Sequence, residues 1–151
     1  MHSGSPPEHP LLTYIDTSVL AAYYCPEPLS GRAQRALQEE DQRAISWLVE
    51  AELVSVLSRK VRTREMRGAE GRRVLALFQS HLGQGIYTRL PLERAHFAKA
   101  HEWLATFAVP LNTLDALHLA VAAMQGCPFL TADVALAKAS ARIGVTARLI
   151  S

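Results

Sequence analysis

Four carboxylates in this 151-residue chain stand directly beside aliphatic segments: Asp16 in YIDTSV, Glu52 in EAELVSVL, Asp115 in TLDALHLA and Asp133 in FLTADVAL. Any fold that buries those segments must leave each acid paired, protonated or bound to a cation, because an uncompensated buried charge costs several kcal/mol or more. Four such positions in a chain the size of one domain point to a single divalent-cation pocket.

The apolar periodicity says how the acids could meet. Leu11 to Ile15 reads as a strand ending at Asp16, and VLAAYY after Thr17-Ser18 reads as a helix that Pro26 and Pro28 terminate. Further helices are expected over Gly31–Glu40, Trp47–Val61, Gly68–Leu82, Leu92–Phe107, Leu114–Gln125 and Val134–Ile143. Strands are expected over Ala44–Ser46, Ile86–Leu90, Phe129–Thr131 and Thr146–Ile150. Leu48, Val49, Leu53, Val56 and Leu57 recur at helical spacing and place Glu52 on or beside a buried stripe, whereas Glu50 falls on another face. Alternating strands and helices predict an α/β fold with a mostly parallel sheet and helices on both faces. Ligands bind such sheets outside the carboxyl ends of the strands, where Asp16 and Asp133 fall.

Residues 11–151 read as one domain, and the polar, proline-rich MHSGSPPEHP of residues 1–10 as a disordered leader or expression remnant. No apolar run approaches the roughly 18 residues that span a bilayer. Cys25 and Cys127 lack metal-ligand spacing and an export signal, which predicts reduced thiols and a cytoplasmic protein. Net charge is only +2, yet Arg59, Lys60, Arg62, Arg64, Arg67, Arg72 and Arg73 crowd one stretch against Glu65 and Glu70. That stretch suits phosphates or an acidic partner, and equally a solvated helix face.

Each acid alone has an ordinary explanation. Asp16 or Asp133 could cap the following helix, Asp115 could complement a helix dipole, and Glu52 could pair with an Arg or Lys. If all four meet, each like-charged pair at about 4 Å costs about 4 kcal/mol at an effective dielectric of about 20, so protons or a cation must enter. Oxygen ligands without cysteine or a histidine cluster favour Mg²⁺ or Mn²⁺ over Zn²⁺. His118, one turn after Asp115, is expected in the core or behind the ligands rather than among them. The hydroxyls of Thr17, Ser18 and Thr131 could orient carboxylates or hold a water, or simply cap strand and helix ends.

In this order the residues resemble a PIN domain, and most of all the small VapC-like toxins of toxin–antitoxin pairs. The resemblance rests on YIDTSVLAAYY, ISWLVEAELVSVLSRK, LNTLDALHLAVAAMQG and FLTADVALAKASARIGV, and covers the chain from about Leu12 to Val145. It implies a PIN-like three-layer sandwich and an Mg²⁺- or Mn²⁺-dependent endoribonuclease with Asp16, Glu52, Asp115 and Asp133 as its acidic site. It further implies RNA products with 5′-phosphate and 3′-hydroxyl ends, a homodimer, and an antitoxin that offers an Arg to the acids. Arg59, Lys60, Arg62, Arg64 and Arg67 would then meet RNA or the antitoxin. A housekeeping PIN nuclease and a non-catalytic binding module are the alternatives. An aspartyl-nucleophile phosphatase needs a second acid two residues after the first, where this chain has Ser18.

Overall fold

Short strands alternate with helices along the chain, which polar caps and the breakers Pro26, Pro28, Pro91 and Pro128 divide into separate elements. The computed structural model describes residues 11–150, so the expectation for residues 1–10 lies outside the described residues. In chain order the elements are β1 (Leu12–Ile15), α1 (Thr17–Tyr24), α2 (Ser30–Gln38), β2 (Gln42–Ser46), α3 (Trp47–Arg62) and α4 (Gly68–Gly83). There follow β3 (Tyr87–Leu90), α5 (Arg94–Leu104), α6 (Thr113–Gln125), β4 (Phe129–Thr131), α7 (Val134–Arg142) and β5 (Ala147–Leu149).

The five strands form one sheet in the order β3-β2-β1-β4-β5, and every pairing is parallel. The chain moves one way from β1 to β3 and the other way from β3 to β5. Right-handed crossovers therefore put α1–α4 over one face and α5–α7 over the other. The direction reverses beside β1, so the ends of β1 and β4 diverge into a crevice at the carboxyl edge.

Tyr14, Ile15, Phe129 and Leu130 bury the centre of the sheet, with Val19, Leu20, Val49 and Leu53 on one side and Leu119 and Val121 on the other. Residues Ala116 to Ala122 of α6 are all buried, which explains why that stretch is apolar on most of its faces. Its ends are fixed locally. The Asn112 side chain accepts a hydrogen bond from the Asp115 amide at 2.8 Å, and Gly126 closes the helix in the left-handed region at φ 67°.

The expected sheet and helices on both faces are borne out, and most boundaries shift by only one or two residues. The helix expected over Leu92–Phe107 is shorter at both ends. Glu93 caps it through a box with His96, whose Nδ1 accepts the Glu93 amide at 2.9 Å. At the other end, the Thr106 hydroxyl turns back to Trp103 and Phe107 takes a positive φ of 58°. Cys25 and Cys127 are both buried and are not joined in a disulfide.

Leu119→Ala should lower the unfolding free energy by about 2–5 kcal/mol and Asn112→Ala by about 1 kcal/mol. Urea melts that keep the slope and move the midpoint in that ratio would bear this out.

Candidate active site

The carboxyl edge of the sheet carries the acids because each follows, or faces, the end of a central strand. Asp16 follows β1 at only 5 % exposure. Its Oδ2 accepts hydrogen bonds from the Ser18 hydroxyl at 2.6 Å and the Thr131 hydroxyl at 2.8 Å. Ser18 also accepts the Ala132 amide at 2.9 Å, which ties the loop after β4 to the start of α1. The cap explanation fails for Asp16, whose side chain makes no cap bond.

Asp133 is exposed and does cap α7, its Oδ1 accepting the Leu136 amide at 3.1 Å. That bond occupies one oxygen and leaves Oδ2 without a hydrogen bond among the described residues. The Asp133 amide donates to Thr131 Oγ1 at 3.0 Å, so Thr131 connects the two aspartates.

Glu52 projects from the middle of α3, and among the described residues no Arg or Lys pairs with it. Its Oε1 instead accepts from the Thr17 hydroxyl at 2.8 Å and from His118 Nε2. Burial pushes Glu52 up, but His118 and Thr17 outweigh it and hold the carboxyl below its ordinary value. His118 lies in the core and behind a carboxylate, as expected, at 1 % exposure. Asp115, half-buried in the first turn of α6, is pushed up to about 6, first by burial and then by the Asp16 carboxylate. Asp133 and Glu52 add to that repulsion, and His118 partly offsets it.

All four carboxylates line one cavity of about 490 Å³, together with Thr17, Ser18, Arg59 and Lys60. Among the described residues, no three His, Cys, Asp or Glu side chains are drawn together into a finished coordination shell. The donor chemistry nevertheless fits a hard cation: carboxylates and hydroxyls, no thiolate, and one imidazole already spent on Glu52. Each acid retains an oxygen without a hydrogen bond among the described residues, and none of those oxygens is buried. Asp115 carries the unrelieved repulsion that a divalent cation would neutralise.

Arg59 and Lys60, from the last turns of α3, put positive charge on the wall of the same cavity. Arg62, Arg64 and Arg67 are exposed but do not line it. Arg62 instead borders an apolar groove between α3 and α4. Two polar residues under the acids, Tyr14 and Ser46, escape a reading of the sequence. The one signal is a tyrosine hydroxyl in a strand destined for the core, which needs a buried partner.

A PIN domain family model matches residues 13–141. No curated protein matches the chain in sequence. Among solved structures, the sarcin–ricin-loop-cleaving toxin VapC20 of Mycobacterium tuberculosis is 19% identical with a TM-score of 0.70, over 89% of this chain and 96% of that one. VapBC2 of Rickettsia felis, bound to a DNA fragment from its promoter, is 15% identical with a TM-score of 0.68, over 93% and 100%. FitAcB of Neisseria gonorrhoeae is 18% identical with a TM-score of 0.65, over 91% and 96%. At these identities the likeness is one of fold.

Asp115 gives the site a pH signature. Its pKa is raised on folding from 3.8 to about 6, so the folded chain holds the extra proton and stability falls as pH rises through that window. Asp115→Asn should therefore raise the melting temperature of metal-free protein at about pH 7.5 by about 3–6 °C, or about 1–2 kcal/mol after solvent screening, with no gain at about pH 3.5. Differential scanning calorimetry at the two pH values checks the sign.

Proposed function

The chain belongs to the PIN-domain family, and on that premise we propose that it is an Mg²⁺- or Mn²⁺-dependent endoribonuclease serving as the toxin of a toxin–antitoxin pair. The observation that carries this reading is the four carboxylates facing one cavity at the switch point of a parallel sheet. Asp16, Glu52, Asp115 and Asp133 would hold the cation. Bound there, a divalent cation supplies a water of lowered pKa as nucleophile and charge to offset the scissile phosphate.

The protein's own residues divide the remaining work. Ser18 and Thr131 hold Asp16 through one oxygen, so its other oxygen keeps a fixed direction. Thr17 does the same for Glu52. Arg59 and Lys60 would take phosphates flanking the scissile one, since a bare acidic cavity repels a polyanion and these cations attract it. Arg62, Arg64 and Arg67 extend that basic surface beyond the cavity for RNA or for acidic antitoxin residues. The toxin role is supported by the fold shared with toxin–antitoxin proteins and by a pocket that a partner's arginine could enter. A homodimer acting on RNA in the cytoplasm completes this reading.

Asp16→Asn should lower RNA cleavage by more than about 100-fold, because it removes a ligand charge while keeping the side chain's size. Sequencing new RNA 5′-phosphate ends after induction in bacteria lacking the antitoxin tests this. Discrete new ends and growth arrest with wild type alone support the reading; equal cleavage by both proteins would sink the site assignment. Removing divalent cations with EDTA should stop cleavage, and Mn²⁺ should restore it; undiminished activity in EDTA would count against the cation.

A further inference from the structure

Beneath the acidic cavity runs a buried polar chain that the proposed reaction does not itself require. His118, on α6 one turn beyond Asp115, reaches Glu52 Oε1 through Nε2. Its Nδ1 lies 2.6 Å from the Tyr14 hydroxyl, which lies 2.7 Å from Ser46 Oγ. Tyr14 and Ser46 have no exposure at all. The carboxylate can only accept, so Nε2 carries the hydrogen and donates it. Nδ1 and the Tyr14 hydroxyl share a second hydrogen bond, and the Tyr14 hydroxyl shares a third with Ser46.

We propose that His118 is the positioning residue for Glu52, and that Tyr14 and Ser46 hold its ring so that α3 and α6 present their acids to one cation. The inference rests on the cation-site reading above. Its geometry is specific. His118 and Thr17 both bind Oε1, which leaves Oε2 without a hydrogen bond among the described residues, on a side chain that lines the cavity. A glutamate in mid-helix has three rotatable bonds, and no other donor among the described residues fixes its carboxylate. The chain also joins the acid-bearing elements: Tyr14 is two residues before Asp16, Ser46 immediately precedes the helix of Glu52, and His118 shares a helix with Asp115. A histidine that merely filled the core would not end its hydrogen-bond chain on a carboxylate that lines the cavity.

Asparagine and glutamine separate the two ring nitrogens. The amide of His118→Asn can replace Nδ1 but falls short of Glu52, whereas that of His118→Gln can replace Nε2. Calorimetric titration with Mn²⁺ alone reads the effect without turnover, and circular dichroism melts check the fold. H118N should weaken Mn²⁺ binding by about 10–100-fold, H118Q should recover the larger part of that loss, and Tyr14→Phe should fall between them. Wild-type Mn²⁺ affinity in H118N, or equal losses in H118N and H118Q, would overturn the positioning role. Should H118N not fold, Y14F decides: weakened binding supports the role and unchanged binding overturns it. A wild-type protein that binds no Mn²⁺ at all fails at a different step and overturns the cation site itself.

Discussion

Carboxylate charge at the rim of a dry core is the constraint to which the rest of this structure answers. Asp16 is almost wholly buried, yet it follows a strand with neighbours on both sides, so it cannot swing away into solvent without disturbing the middle of the sheet. Burial raises the Asp115 pKa, and the charges of Asp16, Asp133 and Glu52 raise it further. The fold tolerates this because the crossovers part beside β1 and leave an open crevice, where water or a cation can reach the acids.

Hydroxyls hold Asp16 and, together with His118, Glu52, and no Arg or Lys among the described residues pairs with either acid. Ser18, Thr131 and Thr17 donate to Asp16 and Glu52 without neutralising them, so negative charge remains available to a ligand. Glu50 is the contrast. Two residues earlier on the same helix, it pairs with Arg89 at 2.7 Å on the exposed side, an interaction worth about 1 kcal/mol or less. Position on the helix thus separates an acid whose charge is spent on the surface from one whose charge is kept for the cavity.

The sheet was legible because periodicity and breakers agree. FLT between Pro128 and the polar Asp133 turn has few options, and the apolar stripe of α3 locates Glu52 without help. The ends of α5 were not legible, since the box at Glu93 and the left-handed turn at Phe107 depend on side-chain bonds that periodicity does not register. The four acids could be named from their apolar surroundings, and that all of them line one cavity is a product of tertiary structure. His118 could be placed in the core, but its bond to Glu52 and the hydroxyls of Tyr14 and Ser46 behind it bring together residues up to 104 positions apart. No local pattern encodes such a meeting. The basic stretch divides for the same reason: Arg59 and Lys60 reach the cavity wall, and the turn that follows carries Arg64 away.

Anomalous diffraction from crystals soaked in Mn²⁺ decides whether the four carboxylates form one cation site. A manganese peak is expected in the cavity, with oxygens of Asp16 and at least two of Glu52, Asp115 and Asp133 as ligands. A fully soaked crystal with that cavity free of manganese, or with manganese bound only elsewhere on the surface, would contradict it.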